Sequence, residues 1–140
     1  MASNQLIYPS VTLIIGESPL ARLEGDHRYF AFSQNNSGGG FHRDENYGEY
    51  VVIAAKDADH ANDRVQEIGV YFNGCDSERD CSCCGDRWYA VYGEGDLTPQ
   101  VYGKRPEAIV ADDTFFRMSV VVHHADGTRE TYSRVDDKKR

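Results

Sequence analysis

Tyr50-Val51-Val52-Ile53-Ala54-Ala55 runs almost directly into Asp57-Ala58-Asp59-His60-Ala61-Asn62-Asp63-Arg64-Val65-Gln66-Glu67-Ile68-Gly69, and the change of period between the two stretches decides the fold class. The first is apolar on both faces, the pattern of an interior strand covered on each side. The second places Ala58, Ala61, Val65 and Ile68 on one helical stripe. Asp57 is a good N-cap, Asp59 suits the positive end of the helix dipole, and Gly69 is a natural stop. His60 lies off the stripe among polar neighbours and reads as a solvated residue. A single long helix cannot supply the alternating crossovers of a parallel sheet, so the expected class is α+β. The sheet should be mainly antiparallel, with this helix packed on one face and a cysteine-rich loop beyond it.

Upstream, Arg28-Tyr29-Phe30-Ala31-Phe32-Ser33 alternates large apolar residues with smaller or polar ones, the mark of a strand with one buried face. Leu6-Ile7-Tyr8 and Val11-Thr12-Leu13-Ile14-Ile15 are short β-favouring runs separated by Pro9, and residues 16–26 read as a loop. Downstream, Trp88-Tyr89-Ala90-Val91-Tyr92 is aromatic and β-favouring, and Gln100-Val101-Tyr102 is a candidate short strand in an otherwise ambiguous region, 96–114. Met118 to His124 reads as a strong strand. Ala125-Asp126-Gly127-Thr128 carries the Asp-Gly pair of a tight hairpin leading into Thr131-Tyr132-Ser133. With no linker or internal repeat, the 140 residues are expected to form one domain, with 136–140 a frayed tail.

All four cysteines and the only tryptophan fall within Cys75 to Trp88. Cys81-Ser82-Cys83-Cys84-Gly85 has the form C-x-x-C-G, in which two thiolates on a tight turn share one tetrahedral ion and the glycine permits positive φ. That is half of a zinc site. If strands 28–34 and 49–55 form a hairpin, the intervening Asn35-Asn36-Ser37-Gly38-Gly39-Gly40-Phe41-His42 lies where the second strand begins. The helix, roughly 18 Å long at 1.5 Å per residue, returns its C-terminus to that same end, where the cysteine loop starts. Cys75, Cys81, Cys84 and His42 are therefore the expected zinc ligands, with Cys83 a spare thiol beside them. Three plainer readings stand alongside. The thiols could be buried hydrophobes, Cys83 or Cys84 could be reactive beside Arg87, and adjacent Cys83 and Cys84 could form a strained disulfide.

Composition narrows the functional classes. No apolar run reaches the ~20 residues a membrane span needs, and the first fifteen residues lack the basic start of a signal peptide. Cysteines crowded into one loop suit a reducing compartment better than a secreted disulfide scaffold. A net charge of -8 opposes general binding to a phosphate backbone.

Phe32-Ser33-Gln34-Asn35-Asn36-Ser37-Gly38-Gly39 and Asp80-Cys81-Ser82-Cys83-Cys84-Gly85-Asp86-Arg87-Trp88 resemble an uncharacterised family of small tailed-bacteriophage proteins. The similarity runs from about residue 28 to 92. It implies a phage product working in the host cytoplasm or carried in a virion, and it transfers no catalytic residue. On chemistry, the first expectation is a non-enzymatic accessory protein that binds a host protein or a small anionic ligand through the pole made by the two loops. Asn35, Asn36, Ser37, Asp86, Arg87 and Trp88 would carry binding, Trp88 as floor or buttress, with exposed glycine amides suited to an anion; the rival reading is that Asp86 and Arg87 cap and brace the cysteine turn. A small thiol- or metal-dependent enzyme at the same pole is the alternative, and a minor virion component a third. Binding ranks ahead of catalysis because His42 alone offers itself as a general base.

Overall fold

The computed structural model describes residues 11–14, 27–112 and 118–134. Five strands, β1 (Val11–Ile14), β2 (Arg28–Ser33), β3 (Tyr50–Ala55), β4 (Val120–His123) and β5 (Arg129–Arg134), form one sheet in the order β1-β5-β4-β3-β2. Three of its pairings are antiparallel, and β3 with β4 is parallel. This is the mainly antiparallel α+β arrangement that the change of period at residue 56 implies. The parallel pair needs a long crossover, and the chain from β3 to β4 carries the cysteine loop and both α-helices of the described residues.

The first helix, α1 (Ala58–Glu67), begins on Asp57, whose side chain accepts the amide of His60 at 2.8 Å, and ends at Gly69 with φ +110°. His60 is half-buried, and its Nδ1 accepts the Lys56 amide at 3.0 Å. Ala61 and Val65 are buried against Phe30, Phe32, Val51, Ile53 and Ala55, with Ala58 and Ile68 half-buried at the margin. The expected stripe is thus the packed stripe. A second helix, α2 (Pro106–Ala111), lies on the other face and buries Val110 against Tyr29, Val52, Ala54, Val120 and Val122. The ten-residue α1 is the principal helix, and this six-residue one is an addition: Pro106 at the first helical position pre-sets φ and Glu107 follows in the first turn, although Ala-Ile-Val alone reads as strand. Helices on both faces explain why β3 is apolar throughout.

The α2 face also buries ionisable side chains. His124 and Glu130 are fully buried and joined by a hydrogen bond between Nε2 and Oε1, while Tyr29 Oη and His124 Nδ1 lie 2.8 Å apart. The Tyr132 hydroxyl approaches Glu130 Oε2 at 3.4 Å. The Asp-Gly turn forms as expected, with the His124 amide donating to Thr128 O at 2.8 Å and Gly127 at φ +88°. At the far end of the parallel pair, buried Glu49 accepts the Ser119 amide at 2.8 Å and Arg43 Nε at 2.7 Å, which ties the approach to β3 to the start of β4.

Two expected strands are absent. Residues 88–92 pair with no strand, because the backbone of Val91 is taken by Asn62 of α1: Nδ2 donates to Val91 O and Oδ1 accepts from Val91 N, both at 2.9 Å. Gln100-Val101-Tyr102 is the start of a tight turn closed by Val101 and Lys104, whose amides and carbonyls exchange hydrogen bonds at 2.8 and 3.0 Å. The expected strand at 6–8, the loop at 16–26 and the tail at 136–140 lie outside the described residues.

Candidate functional site: a thiol cluster on a braced pole

The loop after β2 and the cysteine loop meet at one end of the sheet. Asn35 Nδ2 donates to the carbonyls of Cys84 at 2.9 Å and Asp86 at 3.1 Å, and the Asn35 amide donates to Arg87 O at 2.8 Å. Buried Ser37 accepts the Cys81 amide on its Oγ at 3.1 Å.

Arg87 is the central brace. Its guanidinium donates to Gln34 Oε1 at 2.8 Å, Gly40 O at 2.8 Å and Ser37 O at 2.5 Å, and its Nε lies 3.7 Å from Asp80 Oδ1. Asp80 in turn accepts the Arg87 amide at 2.8 Å and the Tyr71 hydroxyl at 2.6 Å. Asp86 accepts the amide of Cys75 at 2.9 Å. Trp88 is buried with the α1 side of the core, edge-on to Tyr47 at 5.4 Å, and its Nε1 has no partner among the described residues.

Several residues expected to bind a ligand are thus occupied in holding the loops together. Ser37, Arg87 and Trp88 are buried, and Asn35 spends its amide on two carbonyls. Asn36, Gly38 to Gly40 and His42 are exposed at the pole, as are Ser82, Cys83 and Cys84. Arg79 is exposed beside them, its guanidinium carbon 3.6 Å from the centre of the Tyr71 ring.

The thiols converge differently from the C-x-x-C rule. Cys81, Cys83 and Cys84 form the group of donors, their sulfurs all within 4.8 Å of one another. Cys81 and Cys83 Sγ are 2.9 Å apart, and Cys83 and Cys84 Sγ 3.9 Å. The turn that gathers them is closed by the amides of Cys84 and Gly85, which both donate to Cys81 O at 3.1 and 3.2 Å. Gly85 takes φ +92°, the positive value the turn requires. The thiol expected to be a spare, Cys83, is a member of the cluster. Cys75 sits just outside it, with Sγ 3.5 Å from Cys81 O, and the exposed His42 is not in the group. All four cysteines are free thiols.

The thiols are electrostatically unequal. Hydrogen bonds from Cys83 and Cys84 draw the Cys81 thiol down to about 7, while its bond to Cys81 pushes Cys83 up to about 11. Desolvation, then the neighbouring Asp86 carboxylate, raises Cys75 to about 11. Three sulfurs in one turn, one of them readily ionised, could hold a metal ion.

Fold and site define a small α+β protein with a thiol cluster displayed on a rigid, arginine-braced pole. The chain belongs to a family described as a domain of unknown function, DUF7296, whose model matches residues 27–139. No curated protein and no solved structure matches the chain. No helix among the described residues is long and apolar enough to cross a membrane.

Proposed function

We propose that the pole is a metal-stabilised binding module: Cys81, Cys83 and Cys84 hold one thiophilic cation, zinc foremost, and the exposed surface around it engages a partner. The carrying observation is the convergence of three sulfurs within 4.8 Å on a turn whose backbone is fixed from below by Arg87 and Asn35. Three thiolates leave one tetrahedral position open. Cys75, in contact with Cys81 O, is the first candidate to fill it by a side-chain rotation, and His42 the second. A ligand atom from a partner would serve equally.

The similarity to tailed-phage proteins supports a role inside an infected cell, with a host protein or a small anionic ligand as the partner. Exposed Gly38 to Gly40 and Arg79 suit an anion better than the buried Arg87 does. A catalytic role at the same thiols has one observation in its favour, the lowered Cys81 thiol. Against it, no general base accompanies that thiol in the cluster.

Elemental analysis and native mass spectrometry of freshly reduced protein test the proposal. About one equivalent of zinc is expected in the wild type, with loss in Cys81→Ser, Cys83→Ser and Cys84→Ser. Less than about a tenth of an equivalent in zinc-supplemented wild type would sink the proposal. Pull-down from infected cells with Asn36→Ala and Arg79→Ala against wild type then tests whether the surrounding surface binds.

A further inference from the structure

The outer edge of β2 is closed at both ends and open in the middle. At one end Tyr29 and Asp96 exchange backbone hydrogen bonds at 2.8 and 2.9 Å, and at the other the Asn35 amide reaches Arg87 O. Backbone groups of alternate residues point to the same side of a strand, so Ala31 and Ser33 also face outward. Neither has a backbone partner on that side among the described residues. The chain between the clamps is longer than the strand it faces and bows away. Its middle residue Val91, which could have paired with the edge, is held off by Asn62. Gly95 lets the arch close back onto the strand, since a Cβ there would meet Tyr29 O and Phe30 Cζ at 2.9 Å.

Between arch and strand lies a cavity of about 280 Å³, lined in part by Ala31, Ser33, Tyr92, Asp96, Gln100 and Tyr102. Tyr92 and Tyr102 are 91 % and 78 % exposed at this site. Tyr102 also occupies a tight-turn position with φ +53°, where glycine or asparagine would be at ease. A strained backbone that displays an aromatic ring beside a cavity is the kind of outlier that marks a binding site.

We infer that this cavity is a second binding site, separate from the thiol pole, for a neutral planar heteroaromatic ligand of the nucleobase class. Between the clamps only Ala31 and Ser33, about 7 Å apart, offer open backbone groups, too few to hold an added peptide strand. The volume is near the lower limit of about 300 Å³ for small-molecule pockets, enough for a base or nucleoside. Among the described residues no Lys, Arg or His lines the cavity and Asp96 does, so an anion is disfavoured. The amide and carbonyl of Ala31 stand side by side on the open edge, as do those of Ser33, and either pair matches the adjacent acceptor and donor on the edge of a base. Tyr92 and Tyr102 supply faces for stacking, and Gln100 and Asp96 further polar contacts. Such a site reads a base and ignores a phosphate backbone, consistent with the acidic chain.

The test is an amide-resolved NMR titration of the full chain with adenosine, guanosine, cytidine and uridine, each up to about 5 mM, the range of weak small-ligand affinities. At least one nucleoside should shift the Ala31 and Ser33 amides while leaving Cys81 to Gly85 unmoved. Its 5′-monophosphate should bind more weakly. Tyr92→Ala with Tyr102→Gly should weaken binding by about fivefold to a hundredfold, the range for losing a stacking ring. Both side chains are exposed, and mapping on the wild type does not depend on the variant. No shifts from any of the four nucleosides, shifts confined to other residues, or undiminished binding by the double variant would each overturn the inference.

Discussion

The two faces of the sheet bury ionisable groups in different places. On the α1 face the centre is apolar, built of Phe30, Phe32, Val51, Ile53 and Trp88, and the buried ions Arg87 and Asp80 stand at the rim where the loops meet. On the α2 face His124 and Glu130 form a pair with Tyr29 and Tyr132, against the strands themselves. Arg87 is satisfied chiefly by neutral oxygens of a separate loop, whereas His124 and Glu130 satisfy each other across one hairpin. The first arrangement joins two loops, and the second fixes one hairpin and, through Tyr29, seats it on β2. A buried ionisable group therefore serves connection on one face and registration on the other.

The largest effect should come from splitting the central pair. His124→Leu leaves the Glu130 carboxylate buried without its imidazole and should cost about 3–5 kcal/mol in denaturant unfolding. Adding Glu130→Met should recover much of that loss, because an apolar pair of similar volume needs no desolvation. A double variant no more stable than the single would show that the pair contributes more than mutual compensation.

At the rim, Arg87→Ala should cost about 3 kcal/mol, since Gln34, Ser37 and Gly40 lose their donor and Asp80 its partner. Arg87→Lys should recover only part, because one ammonium cannot span three acceptors on two sides. The same variants should loosen the Cys81 turn and weaken metal uptake, which elemental analysis can follow. Full stability in Arg87→Ala would remove the claim that the rim charge connects the loops.

The smallest effect should be a pH dependence on His123, on the α1 face of β4. Burial lowers its pKa, with Arg129, Arg64 and His124 acting in the same direction, while the Asn46 carbonyl, 2.7 Å from Nε2, opposes. The unfolded chain then binds the proton more readily than the folded one, so stability contributed by neutral His123 is present above the ordinary histidine value of about 6.5. It is lost as pH falls through that value toward the lowered folded pKa. Unfolding of wild type and His123→Asn between pH 7.5 and 5, roughly one unit on either side of that value, should show a steeper acid-side decline in wild type. Parallel curves would assign the acid sensitivity to the other face.

The strand and helix from Tyr50 to Gly69 were legible because their periods are local properties of the chain, and the Asp-Gly hairpin because its turn chemistry is. Residues 88–92 misled because β-propensity records a side-chain preference, and a single side chain, Asn62, intercepts the backbone that pairing would need. The parallel alignment of β3 with β4 is set by packing on both faces and has no local signature. At the pole, the meeting of the two loops followed from strand and helix lengths. The membership of the thiol cluster did not, because C-x-x-C spacing selects Cys81 and Cys84 while the observed turn also draws in Cys83. Arg87 and Trp88 show the same limit: residue type left Arg87 as contact or brace and Trp88 as contact or buttress, and only tertiary burial decides between them.

The strand order carries a consequence for synthesis. β1 pairs with β5 in the register Val11 with Arg134, and β4 inserts between β5 and β3. By contrast, β2, β3, α1, the cysteine loop and the arch make most of their contacts among themselves, within residues 28–96. As the chain emerges from the ribosome, that half can assemble while β1 still lacks its partner and β3 presents an open edge. The edge belongs to the strand that is apolar on both faces, the kind most prone to pair with another copy. Until β4 is made that edge stays uncovered, and the length of the crossover sets how long the interval lasts.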